Sequence, residues 1–361
     1  MENIEGIEYL EDGHVKINPG IGFIKDLDTL APTFEVFEDF EIKRYRDYVK
    51  AVAGPFWYEW DPTGAIVLSK GCIGRCSFCN SRIVDQGKYR TFSEENTLMQ
   101  LKTIYELYQP KNFKIYDALF GANKRQFRVV CNFMREFQIP WCFGTRVDLL
   151  KTEDIELLKG TCVKDIFFGL KSVNLDTLKF NGKISYKKTD EYLTAAVKVL
   201  KELMDADLTC FIALLFALPN EKTTMYEDTI KFFKENNLIG EKLMVAPSTP
   251  IAFQGTLLWD LIPPDQRCYD WEKYNINPEN FLREPKIFYI NPDFTIEELF
   301  NHMVSSTDDL FKISDLTEND LFLMDLKSII NEGYEAIESE MDKEWFKLSI
   351  DFTAKKYLAS K

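Results

Sequence analysis

From Gly64 onward the chain alternates short β-rich runs with longer stretches of helical periodicity. The runs GAIVLSK (64–70), NFKIYDAL (112–119), WCFGTRV (141–147), VKDIFFGLKS (163–172), LTCFIALLF (208–216) and EKLMVAPS (241–248) read as strands. Between them lie SEENTLMQLKTIYELY (93–108), KRQFRVVCNFMREF (124–137), TEDIELLK (152–159), TDEYLTAAVKVLKELMDA (189–206) and TTMYEDTIKFFKEN (223–236), which read as helices. Ser93 is placed to cap the first of these, and Gly160 to close the third.

Near-continuous apolar strands joined by helices predict an α/β fold, a parallel sheet covered by helices. Six such units form either an open doubly wound sheet or a partial barrel. In both, ligands bind at the C-terminal ends of the strands. Residues 1–63 stand outside the alternation and read as an N-terminal connector packing on the core. The core is 64–260. Residues 261–361 begin with the irregular PPDQRCYDWEKYNINPENF and continue as helical periodicity from Thr295.

Composition narrows the function classes. Lys and Arg total 44 against 58 Asp and Glu, a net charge of −14. Non-specific nucleic-acid binding is driven by basic charge, so that class is set aside. No stretch approaches the roughly 18 apolar residues of a membrane helix. The acidic MENIEGIEYLEDGH start is unlike a signal peptide, which predicts a cytoplasmic protein with reduced or metal-bound cysteines.

Three of the eight cysteines fall in SKGCIGRCSFCNSR (69–82), at Cys72-x3-Cys76-x2-Cys79, directly after the first strand. Zinc sites complete a set of four ligands, but the two histidines, His14 and His302, are distant in sequence. A cluster of four irons and four sulfides normally takes four thiolates. With three, one iron keeps an open position for a chelating ligand.

This loop resembles the signature of the radical SAM superfamily, with Phe78 at the aromatic position before the last cysteine. The resemblance implies a partial (β/α)6 TIM-like barrel with an N-terminal connector and a C-terminal helical extension. It also implies a 4Fe-4S cluster on Cys72, Cys76 and Cys79, and S-adenosyl-L-methionine on the open iron. Reductive cleavage would then give a 5′-deoxyadenosyl radical.

Further motifs extend the likeness over most of residues 1–260. IYDALFGAN (115–123) is similar to a second-strand motif, which puts Asp117 toward the methionine end of the cosubstrate. TRVDLL (145–150) puts Arg146 near its carboxylate. FFGLKS (167–172) puts Lys171 and Ser172 by the ribose, and LLFALPNEKT (214–223) adds Leu214. Each also has a structural reading: Asp117 as a strand-end cap, Arg146 with Asp148 as an ion pair, Glu221 as a helix cap. Lys171 stands where the similar branch has Glu. Ala217 and Asn220 replace glycines, and Gln254 replaces a proline.

That branch is the one whose members often carry cobalamin. GIEYLEDGHVKINPGIGFIKDLDTLAP is similar to the connector following its cobalamin domain, yet residues 1–63 hold no Asp-x-His-x-x-Gly motif. Cys131, Cys142 and Cys210 read as core residues. Cys268, beyond the last strand, is a candidate hydrogen donor to a substrate radical.

The leading expectation is hydrogen abstraction from a peptide or natural-product substrate, followed by epimerisation or rearrangement. An electron donor such as flavodoxin or ferredoxin would serve it. The first alternative is methyl transfer with a cobalamin domain on a partner chain. The second is a degenerate protein that binds its cluster without turnover.

Overall fold

The computed structural model describes residues 4–20, 22–30, 64–185, 189–240, 242–248, 250–264 and 291–294. Cys268, the aromatic PFWYEW (55–60) and the C-terminal helical periodicity lie outside these residues. Near the start, β1 (Glu8–Glu11) and β2 (His14–Ile17) form an antiparallel hairpin. Its turn is Asp12–Gly13, both at positive φ, the handedness that matches strand twist.

The core follows in chain order: β3 (Gly64–Ile66), β4 (Ser69–Lys70), α1 (Ser81–Val84), β5 (Arg90–Thr91), α2 (Glu94–Tyr108) and β6 (Phe113–Ile115). Next come α3 (Lys124–Phe137), β7 (Trp141–Thr145), α4 (Thr152–Leu158), β8 (Val163–Lys171), α5 (Leu175–Phe180) and α6 (Thr189–Asp205). The last elements are β9 (Thr209–Leu215), α7 (Met225–Glu235), β10 (Leu243–Ser248) and α8 (Leu257–Asp260).

One six-stranded sheet runs β3-β6-β7-β8-β9-β10, each neighbouring pair parallel. Every crossover therefore steps one place in the same direction. A doubly wound sheet needs a reversal of strand order, and there is none among the described residues. Right-handed crossovers that never reverse put all helices on one face. The fold is a partial barrel, as the resemblance implies.

The helices form where expected because their ends are capped and one face is apolar. The Ser93 side chain accepts from the Asn96 amide at the start of α2. Asn123 does the same for α3, from the amides of Arg125 and Gln126. In α3, Phe127, Val130, Cys131 and Met134 recur at helical spacing and are fully buried. Burial of each such large side chain contributes about 1.5–3 kcal/mol.

The strands depart from the two-sided burial their apolar runs predict. In β8, Ile166, Phe168 and Leu170 pack against the helices, whereas Phe167 on the other face is 41% exposed. Phe167 stacks on Phe211 of β9 with centroids 5.3 Å apart. Among the described residues the concave face is thus partly open. Cys142 lies on this face beside Asp165 and Lys114 and is only half-buried, so it is not a core residue. Cys131 and Cys210 are core residues, as expected.

Candidate functional site

The cysteine loop leaves the first strand and is closed at its base by the antiparallel pair β4 and β5, with Ser69 opposite Thr91 and Lys70 opposite Arg90. Gly71 opens the loop at φ +88°. A Cβ there would meet the Lys88 carbonyl oxygen at 2.0 Å, so no other residue fits without moving the backbone.

Cys72, Cys76 and Cys79 are free thiols, all half-buried. The Gly74 amide donates to Cys72 Sγ at 3.3 Å. A Cβ added to Gly74 would lie 3.3 Å from Cys72 Sγ, 3.7 Å from Cys76 Sγ and 3.7 Å from Arg146 Nη1. Two of the thiols and the guanidinium therefore converge on one glycine.

Cations from three other segments surround the thiols. Arg146, after β7, is held by Asp148, Nε to Oδ1 at 2.9 Å and Nη2 to Oδ2 at 2.8 Å. Burial opposes the charge on Arg146, but this two-point bond holds its pKa above the ordinary value. Lys171, at the end of β8, folds back over Gly169. Burial lowers its pKa, and Cys76 and Cys79 oppose that. Lys183 is 6% exposed. Burial first, then Arg146, lower its pKa to about 8, while Cys76 pulls the other way.

Burial raises the Cys76 thiol, and Lys183 and then Arg146 draw it back. The Tyr192 hydroxyl of α6 is buried with no hydrogen-bond partner among the described residues. Burial raises its pKa, and Asp148 adds to the rise.

Among the described residues, no group of three or more His, Cys, Asp or Glu is arranged around a single metal ion. A cubane cluster binds each thiolate at a different iron, so the sulfurs stay apart. Three thiols amid Arg146, Lys171 and Lys183 suit an anionic thiolate-bound cluster, so the donor set fits.

The other expected residues occupy varied places. Asp117 is buried, and its oxygens accept from the Leu68 amide at 2.7 Å and the Ser69 hydroxyl at 2.5 Å. It braces the strand that launches the cysteine loop, and burial raises its pKa to about 6. Ser172 accepts from the Asn174 amide at 3.0 Å and donates to Glu221 at 3.4 Å. The Leu214 side chain is fully buried, and its carbonyl accepts from the Ser248 hydroxyl at 3.1 Å. Glu221 does not cap α7; it accepts from Thr177 at 3.0 Å and from Ser172.

Phe78 packs with Ala252, Leu258, Trp259 and Ile262, a small apolar cluster after β10. Ala217 and Asn220 sit at φ +56° and +64°. Both adopt the left-handed backbone that glycine takes most readily, at the positions where the similar turn has glycine.

Lys183, Tyr192 and Asn181 were missed by sequence reasoning. Asn181–Gly182 is itself a turn signal. Nothing local, though, reveals that this turn meets a loop about a hundred positions earlier.

The family model of the Radical SAM superfamily matches residues 66–233. An uncharacterized methyltransferase of Pyrococcus horikoshii is 26% identical over 321 residues, covering 84% of this chain and 65% of that protein. A bacteriochlorophyllide d C-12(1)-methyltransferase of Chlorobaculum tepidum is 22% identical over 243 residues, 66% of this chain and 51% of that protein. The structure of the cobalamin-dependent S-adenosylmethionine radical enzyme OxsB with aqua-cobalamin bound is similar at a TM-score of 0.57 and 14% identity. It covers 100% of this chain and 62% of that one. The chain thus spans less than two thirds of the length of each.

Proposed function

With a radical SAM domain over residues 66–233 as the premise, we propose that this chain cleaves S-adenosylmethionine reductively at a 4Fe-4S cluster held by Cys72, Cys76 and Cys79. We further propose that the cleavage serves methylation of a natural-product or peptide acceptor. Cobalamin would come from a domain outside residues 1–361.

One observation carries the first part: three thiols at the C-terminal edge of the first barrel strand, ringed by Arg146, Lys171 and Lys183. When bound, the cluster supplies the electron that breaks the sulfonium C–S bond. This chain's residues do the rest. Asp148 takes the Nε and Nη2 edge of Arg146, which leaves Nη1 toward the cysteine loop for a carboxylate. Lys171 Nζ, whose charge is also felt by Cys76 and Cys79, lies 5.9 Å from the ring centre of Phe167, which stacks on Phe211. That pair offers an apolar floor for the acceptor on the concave face.

Methyl transfer is preferred to epimerisation or rearrangement because both curated relatives named above are methyltransferases. The hydrogen donor that epimerisation invoked, Cys268, lies outside the described residues.

The test is anaerobic turnover of reconstituted protein with a chemical reductant, with and without added methylcobalamin and its carrier domain. Methyl transfer gives S-adenosylhomocysteine together with 5′-deoxyadenosine. Rearrangement gives 5′-deoxyadenosine without S-adenosylhomocysteine. Absence of both products from cluster-loaded protein would favour a non-catalytic role.

A further inference from the structure

Asn181, in the turn after α5, is 1% exposed, and every polar atom it carries is engaged. Its Oδ1 accepts from the Ser77 hydroxyl at 2.6 Å, and its carbonyl accepts from the Ser77 amide at 2.8 Å. Its Nδ2 donates to the carbonyls of Thr177 at 2.9 Å and Pro219 at 2.8 Å. Its amide donates to the Thr177 carbonyl at 3.0 Å. Ser77 lies between Cys76 and Cys79, and its carbonyl accepts from the Leu258 amide at 3.1 Å. The next residue, Gly182, sits at φ +65°, where a Cβ would come within 2.5 Å of the Arg75 carbonyl oxygen.

Ser77, next to Cys76, is therefore held at its amide, hydroxyl and carbonyl, and on the other side the Arg75 carbonyl lies where a side chain on residue 182 would start. We propose that Asn181 is a positioning residue for the cluster: it fixes Cys76 relative to Cys72 and Cys79, so that the thiol spacing is set by protein contacts before iron is bound. The proposal rests on the reading of these cysteines as cluster ligands. A metal site commonly organises only as its ion binds, which couples affinity to ordering. Here a saturated, buried amide carries that ordering instead. Removing one partner of such a network leaves the others unpaired in a low-dielectric surrounding. Asn181 also joins the loop to the Pro219 turn after β9, and through Ser77 to α8 after β10. The spacing of the thiols thus registers the fifth and sixth units of the barrel.

The test uses the full chain, reconstituted anaerobically. The variants are Asn181→Ala, Ser77→Ala and the hydroxyl-preserving Ser77→Thr. The measurements are iron and sulfide content, the rate of iron loss to a chelator, the electron paramagnetic resonance of the reduced cluster with and without S-adenosylmethionine, and thermal melting of the iron-free protein. With each lost hydrogen bond weakening retention a few-fold, Asn181→Ala is expected to release iron about tenfold faster, with an altered resonance. Ser77→Ala is expected to fall between it and the wild type, and Ser77→Thr to restore the wild-type rate.

Wild-type release and resonance in Asn181→Ala would overturn the proposal. So would faster release in Ser77→Thr equal to that in Ser77→Ala. Should Asn181→Ala fail to fold, the two Ser77 variants decide, and an unchanged rate in Ser77→Ala is then the refuting result. A wild type that takes up no iron would instead sink the cluster reading beneath it.

Discussion

Arg146 and Asp148, two residues apart, share a two-point ion pair that turns the remaining guanidinium nitrogen, Nη1, toward Gly74 in the cysteine loop. The ion-pair and cofactor readings of Arg146 are therefore not rivals. The same side chain uses one edge for Asp148 and presents the other to the thiols.

Arg146→Ala removes both uses and leaves Asp148 without its partner. The iron-free protein is expected to lose about 1–3 kcal/mol of unfolding free energy in urea titrations. Arg146→Lys is expected to recover less than half of that loss, because an ammonium cannot reproduce the planar fork. Full recovery by lysine would show that charge alone suffices.

Replacing Cys72, Cys76 and Cys79 together with Ala is expected to abolish iron binding and the visible absorbance of reconstituted protein. A four-iron cluster retained by the triple variant would place its ligands elsewhere.

Gly71 opens the loop with backbone atoms of Lys88 where a side chain would start. Gly71→Ala is expected to cost at least about 2 kcal/mol, from a left-handed φ and a contact that only backbone movement relieves. Thermal melting and iron content should both fall. An unshifted melting temperature would mean that the loop adapts freely.

Glu221 supplies a pH dependence. Burial raises its pKa from 4.5 to about 7, against the lowering effect of Thr177 and Ser172. In the folded chain it therefore holds its proton through a range where the unfolded chain has released it. Between about pH 4.5 and 7 the unfolded state binds fewer protons, so stability falls as pH rises, then levels off. Glu221→Gln removes this slope. Relative to wild type, the variant is expected to gain up to about 3 kcal/mol on moving from pH 4.5 to pH 8. Parallel urea midpoints at both pH values would contradict it.

Much of the barrel was legible in the sequence, and the reasons are local. The segment 124–137 carries an apolar face of Phe127, Val130, Cys131 and Met134 at helical spacing, and the helix occupies the span read from that pattern. The strand positions followed from apolar runs, but their one-sided exposure did not. Phe167 and Phe168 look alike in sequence, and only the closing direction of the sheet puts one on the helices and the other on the concave face.

The cysteines were equally plain, because their spacing is a local pattern. Lys183 and Tyr192 were not, since each reaches the thiols only through the packing of α5 and α6 on the sheet. Leu214 was legible as a strand residue, but the strand alternation that turns its side chain into the core was not.

The bond between Ser77 and Asn181 spans 104 positions, and that separation has a meaning in time. At translation rates of roughly 5–20 residues per second, the three thiols leave the ribosome roughly 5–20 seconds before Asn181, the residue that holds Ser77 beside Cys76. During that interval the loop is a floppy run of nucleophiles, open to oxidation and to stray metal. If these cysteines hold the cluster as proposed, iron insertion falls late in the life of the nascent chain, and a fragment ending before Asn181 would carry all three cysteines without the bonds to Ser77.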